Sequence, residues 1–253
     1  MRRTALEDIL IPTLLFVAGC VMGFINNLAG AGGALGLLAL DLGAGLEPRL
    51  ANASLRPAAL AIGLMGAIGF ASKNQRPTPE SWRFGLYTIP GAVLGAFLAL
   101  KLPSWVYEAA LLTTVCWLGA QLVLGKRSQS LQPIAPRRAQ LAFLGVGFYM
   151  GFLQVGTGLV TMLALRSVYS QDLIRVNAAK MIIVLFAATT SVITFSVTGG
   201  IQWGPAMWVA LGCGLGSFLA ARFSLARGQG MVRPIVLAVC VVTALRSLYH
   251  LVT

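Results

Sequence analysis

Asn26 and Asn27 stand just ahead of the glycine run Gly30-Ala31-Gly32-Gly33, and Gln154, Thr157 and Thr161 surround Gly156 and Gly158, each group in the middle of an apolar segment. Buried amides and hydroxyls are costly in hydrocarbon and need partners. A glycine run breaks a helix, and the break exposes the backbone N–H groups that start the following half-helix. Together with the positive end of the helix dipole, those donors attract an anion. Further donors follow each run: Asn52, Ser54 and Arg56 after the first, Asn177 and Lys180 after the second. Arg56 and Lys180 lie at the entry of an apolar span, where a cation either snorkels to the membrane surface or meets a substrate. No acid accompanies them at matching positions. The candidate anion-binding set is Asn26, Asn27, Gly30, Gly32, Gly33, Asn52, Arg56, Gln154, Gly156, Thr157, Gly158, Asn177 and Lys180. The glycines could instead serve only close helix packing; their matching places beside polar residues favour a site.

Other chemistries lack their parts. The acids Glu7, Asp8, Asp41, Glu47, Glu80, Glu108 and Asp172 fall nearly all at span ends, which disfavours a metal-cation, sodium-coupled or proton-coupled pathway. The sole histidine, His250, stands near the end of the sequence, and G-x-S-x-G, H-E-x-x-H and Walker motifs are absent, so no enzyme, metal or cofactor is expected. Cys20, Cys116, Cys213 and Cys240 lie in apolar stretches without C-x-x-C spacing and read as small packing residues. The net charge of +12 is spread singly or in small groups between spans, where membrane anchoring explains it and nucleic acid is not expected.

The elements that must position these donors are transmembrane helices. At 57% hydrophobic and 10% charged residues, with a mean hydropathy of +0.82, the chain is an integral membrane protein. Its apolar runs reach the roughly 20 residues of a helical span and do not alternate as barrel strands would. Trp82, Trp105, Trp203 and Trp208, with Tyr87, Tyr107 and Tyr249, lie near span ends and read as an interfacial belt. Val17-Ala18-Gly19-Cys20 resembles a lipoprotein signal, but the apolar run continues to Leu40 with no polar tether, so the first segment is expected to stay.

The chain is also written twice. Gly91 to Lys101 matches Gly212 to Arg222, Gly23-Phe24 matches Gly147-Phe148, Ala51-Asn52-Ala53 matches Val176-Asn177-Ala178, and Trp82 matches Trp203. Repeated halves with broken helices in corresponding places point to a secondary transporter. The expected organisation is one membrane domain, 1–253, with repeat one at about 9–125, a cytoplasmic linker at about 126–138 and repeat two at about 139–252. As one helix, Ile9 to Leu40 would measure roughly 48 Å against a core of about 30 Å, so it is expected to fold back. For Ala139 to Leu165 a single tilted span stays open.

The fold class is therefore an all-α polytopic membrane protein of two repeats, each a glycine-broken re-entrant hairpin plus three transmembrane helices. Odd crossings invert the second repeat relative to the first. Inversion puts Lys73, Arg76, Arg83, Lys126, Arg127, Arg137, Arg138, Arg166, Arg175, Arg222, Arg227 and Arg233 on the cytoplasmic face. Arg2, Arg3, Arg49, Arg56, Lys101 and Arg246 are left outside. This is a better charge bias than four simple crossings per half would give.

At these residues the chain resembles the sulfite exporter TauE/SafE family. Its duplicated glycine-rich segment appears as Gly23 to Gly33 and Gly147 to Gly158, its turn as Gly200-Ile201-Gln202-Trp203, and its glycine-spaced span as Gly212 to Arg222, echoed by Gly91 to Lys101. Ala31 and Ala34 degrade the first run and Gln154 and Thr157 interrupt the second, altering the size and donors of any site. The resemblance implies a multi-pass permease of the bacterial inner membrane for sulfite or an organosulfonate. Expected partners are a small anionic substrate, the lipid bilayer and, as a candidate assembly, a homodimer. A non-transporting membrane scaffold and an anion channel are the rival readings.

Overall fold

The computed structural model describes residues 5–124, 136–169, 173–223 and 233–252. Most of the expected linker, 126–138, lies outside them, as do Arg2, Arg3, Lys126, Arg127 and Arg227. The described residues form eleven α-helices and no strand. In the first half these are α1 (Ala5–Ala29), α2 (Gly33–Ala44), α3 (Pro48–Ser54), α4 (Arg56–Ala71), α5 (Pro79–Lys101) and α6 (Ser104–Leu124). In the second they are α7 (Pro136–Phe152), α8 (Thr157–Tyr169), α9 (Leu173–Val197), α10 (Trp203–Phe223) and α11 (Arg233–Val252). Among the described residues five segments are long and apolar enough to cross a membrane: Ile9–Ala29, Pro48–Ala71, Pro79–Lys101, Ile174–Val197 and Trp203–Phe223.

Both expected breaks are present. Gly30 ends α1 in the left-handed region, φ 73°, with its N–H on the Asn26 carbonyl at 2.9 Å. The second break runs over 153–156, and Gly156, φ 69°, opens α8. After its break α2 turns back along α1, so that a Cβ at Gly36 would meet Met22 and one at Gly43 would approach Leu15. The first break falls late in its segment, since α1 has 25 residues and α2 has 12, and α1 alone is long enough to span.

A second interruption is absent from the sequence reading. The apolar span expected to be entered at Arg56 begins earlier, at Pro48, and Leu55, still right-handed at φ −81° and ψ −8°, separates α3 from α4. Pro57 has no N–H to continue the ladder and sits in the first turn of α4, where that loss is harmless. Its counterpart α9 is unbroken.

Packing crosses between the halves. α1 lies against α10 through paired glycines: a Cβ at Gly19 or Gly23 would come within 2.4 Å or 2.2 Å of a backbone oxygen of Val209 or Cys213. One at Gly212 or Gly216 would collide likewise with Phe16 or Cys20. The same device joins α7 to α5, with Gly147 and Gly151 on Thr88 and Ala92, and Gly91 and Gly95 on Leu144 and Phe148. Small residues thus let backbones touch where lipid supplies no hydrophobic drive between helices. Outward positions are large and apolar, including Ile9, Leu94, Ile193 and Leu211, as a hydrocarbon surround requires.

Candidate substrate site at the two helix breaks

The two breaks meet. Leu159 of α8 donates its N–H to the Gly30 carbonyl at 3.1 Å, and a Cβ at Gly158 would stand 2.4 Å from the Gly30 Cα. A Cβ at Gly33 would lie 2.2 Å from the Gln154 carbonyl oxygen. Only glycine permits this backbone-to-backbone approach. Asn26, Asn27, Asn52, Arg56, Gln154, Thr157, Thr161, Asn177 and Lys180 are all buried around it.

The cations do not snorkel. Arg56 and Lys180 are 0% exposed, and each reaches across to the broken helix of the other half. Arg56, in the first turn of α4, donates from Nη1 to the Met150 carbonyl and, at 3.0 Å, to Gln154 Oε1, and from Nη2 to the Phe152 carbonyl at 3.2 Å. Lys180, on α9, donates to the Asn27 carbonyl at 2.7 Å and the Asn26 carbonyl at 3.2 Å, with the Met162 sulfur at 3.8 Å. A helix that stops inside a membrane leaves its last carbonyls unpaired and the negative end of its dipole exposed, and a cation satisfies both. The sequence left these side chains either snorkelling or meeting a substrate. In the structure they cap the C-terminal ends of α7 and α1.

The neighbours complete the arrangement. Asn52 bridges the second break, giving Nδ2 to the Phe152 carbonyl at 3.1 Å and accepting the Gln154 N–H on Oδ1 at 2.9 Å. Tyr149 closes the same turn with its hydroxyl on the Val155 carbonyl. Asn27 donates Nδ2 to the backbone oxygen and hydroxyl of Ser217 on α10, at 2.9 Å and 3.1 Å. Ser217 passes its own proton to the Ile62 carbonyl at 3.0 Å. Ser54 accepts the Gln202 N–H at 3.0 Å, tying α3 to the turn before α10. Four buried polar atoms have no partner among the described residues: Asn27 Oδ1, Arg56 Nε, Asn177 Oδ1 and the Tyr107 hydroxyl. Tyr107 is therefore no interfacial residue. It is 1% exposed and packs edge-on to Phe152, 6.3 Å between centroids.

A cavity of about 290 Å³ opens beside this centre, lined by residues of α3, the end of α5 and the end of α9. Asn52 and Phe195 form part of its wall, and the Arg56 guanidinium carbon lies 4.9 Å from the Phe195 ring centroid. Arg49 also lines it, held by Nε on the Ala99 carbonyl at 3.0 Å and by Nη2 on the Leu100 carbonyl. Arg49, Phe195 and Tyr107 were not singled out for the site from sequence. They come from separate elements, and the one local sign was the Gly199-Gly200 turn.

A family model described as "Sulfite exporter TauE/SafE" matches residues 15–247. Among curated proteins, the chain is similar to the probable membrane transporter protein ORF9 of a Sinorhizobium species, 26% identical over 92% of this chain and 91% of that protein. It is similar to a probable membrane transporter protein of Haemophilus influenzae, 23% identical over 93% of this chain and 94% of that one. It also resembles the probable membrane transporter protein YfcA of Escherichia coli K12, 26% identical over 96% and 91%. No solved structure matches significantly. Two broken helices at the centre of an all-helical, multi-pass membrane protein agree with a transporter, and with its family model matched over nearly all its length the chain belongs to the sulfite exporter TauE/SafE family.

Proposed function

We propose that this chain is a secondary permease of the bacterial inner membrane for a small anion of the sulfite or organosulfonate class, working by alternating access around the two breaks. One observation carries the reading. Two fully buried cations, Arg56 and Lys180, are bonded to uncharged oxygens and a sulfur, with no carboxylate among their partners in the described residues. Helix dipole ends compensate such charges in part, so the centre of the protein keeps a positive field that complements a permeating anion. Buried Asp41 offers no counter-charge there, because both its oxygens hold Arg246. An anion leaving the cell gains about 2.3 kcal/mol per charge for each 100 mV of inside-negative potential. Export therefore needs no coupling carboxylate.

The reading includes the geometry. Two inverted repeats would each contribute a re-entrant hairpin, α1–α2 and α7–α8, meeting near the midplane. The folding of α2 back onto α1 and the exchange of cations between halves support it. Cysteines placed at Ser128 and Gln171, both outside the described residues, are expected to react from the same side of the membrane. Opposite sides would make α7–α8 a single crossing and remove the inversion.

Uptake of radiolabelled sulfite and of small sulfonates into proteoliposomes is the decisive measurement. Saturable flux at carrier rates is expected. Currents far above carrier turnover would replace the carrier with a channel, and absence of flux and of anion binding under any gradient would leave a scaffold.

A further inference from the structure

We infer that the cavity between α3, α5 and α9 is the anion's entry subsite and that Phe195 is its inner gate. This deepens the permease reading and rests on it. At about 290 Å³ the cavity has room for a sulfonate and several waters. Its charged groups are Arg49, half-buried on the α5 end, and Glu47, exposed at the mouth. Beyond its wall stands Arg56. The guanidinium carbon lies 4.9 Å from the centroid of the Phe195 ring, whose other surroundings include the cavity, and Arg56 Nε is buried without a partner. The ring is thus the layer between the open space and a cation with one donor to spare. Rotation of Phe195 would join the two without moving a helix, and the ring's attraction for the guanidinium holds it closed at rest.

Thiol labelling in proteoliposomes tests this independently of transport. Gly200→Cys places a thiol beside Phe195 and Leu100, in the cavity wall. It is treated with sulfonate-bearing and trimethylammonium-bearing methanethiosulfonates of equal length, above the background of the unsubstituted chain. After correction for their rates with a free thiol, the anionic reagent is expected to react about tenfold faster, as a focused positive field dictates. That preference should fall toward parity in Arg49→Gln. It should rise in Phe195→Ala and, by less, in Phe195→Leu, which keeps most of the packing volume. Equal rates or a cationic preference at Gly200→Cys would overturn the subsite. An unchanged ratio in both folded Phe195 variants would overturn the gate. If the wild-type chain moves no anion yet shows the preference, the permease reading fails and the subsite stands. Flux without the preference keeps the permease and removes the subsite.

Discussion

Around the second break Arg56 takes two carbonyls and an amide oxygen and leaves Nε unpartnered, Asn52 spans the gap between Phe152 and Gln154, and Tyr149 closes the turn. Around the first break Lys180 takes two carbonyls, while the equivalent of Asn52, Asn177, has an unpartnered buried oxygen. The helix that carries Arg56 is interrupted one residue before it, whereas the helix that carries Lys180 is continuous. Arg56 also backs onto an open cavity. The halves share a plan and divide labour. At the second break the cation is a planar fork of donors, and at the first it is a single ammonium, with Asn27 on Ser217 and the Leu159 N–H on Gly30 completing the ties.

The hardest test of this comparison is to separate the breaks. Gly158→Leu or Gly33→Leu pushes side-chain atoms into the opposing backbone and is expected to abolish flux and lower expression of folded protein. Gly158→Ala should cost about 1–3 kcal/mol, read as a fall in melting temperature in detergent. Tolerance of leucine at Gly158 would mean that the breaks do not touch. Next come the capping cations. Arg56→Met strands three acceptors and should destabilise by about 3 kcal/mol or more, with Lys180→Met costing roughly half as much. Equal losses would erase the asymmetry. Arg56→Lys should rescue only part, because one ammonium cannot reproduce a planar fork on three oxygens.

A smaller effect sharpens the contrast most. Asn52→Leu removes two bonds and should cost about 2 kcal/mol, whereas Asn177→Leu, which replaces an unpartnered oxygen by methyl groups, should leave the melting temperature nearly unchanged. If Asn177→Leu keeps stability but loses flux, Asn177 belongs to the transport cycle. If Asn177→Leu destabilises as much as Asn52→Leu, the first break is as firmly tied as the second. The smallest effect is expected at Arg246→Gln. Its bonds to Asp41, at 2.8 and 3.1 Å, join α11 to α2, but the arginine side chain is 38% exposed and solvent screens the pair, so the melting temperature should fall least of all these variants.

The breaks were legible because their signal is local: glycines at Gly30 and Gly156 adopt a left-handed backbone that few other residues tolerate, and polar neighbours mark the spot. The convergence of Asn26, Asn52, Gln154 and Lys180 followed from the duplication. What Arg56 and Lys180 point at was not legible, because a cation beside a helix end reads the same whether it faces solvent, a ligand or carbonyls on a helix far along the chain. Asp41 and Arg246, 205 positions apart, could not be paired for the same reason. Leu55 was overlooked because a proline two residues on reads as an ordinary helix start.

The exchange of cations has a consequence for biogenesis. Arg56 waits for a carbonyl 94 positions further on, and the Asn27 carbonyl waits for an amine 153 positions away. A nascent first half must hold a naked guanidinium at membrane depth until the second half is inserted, a state that invites quality-control proteases. Neither half should mature alone, and halves expressed as separate polypeptides should protect one another from degradation.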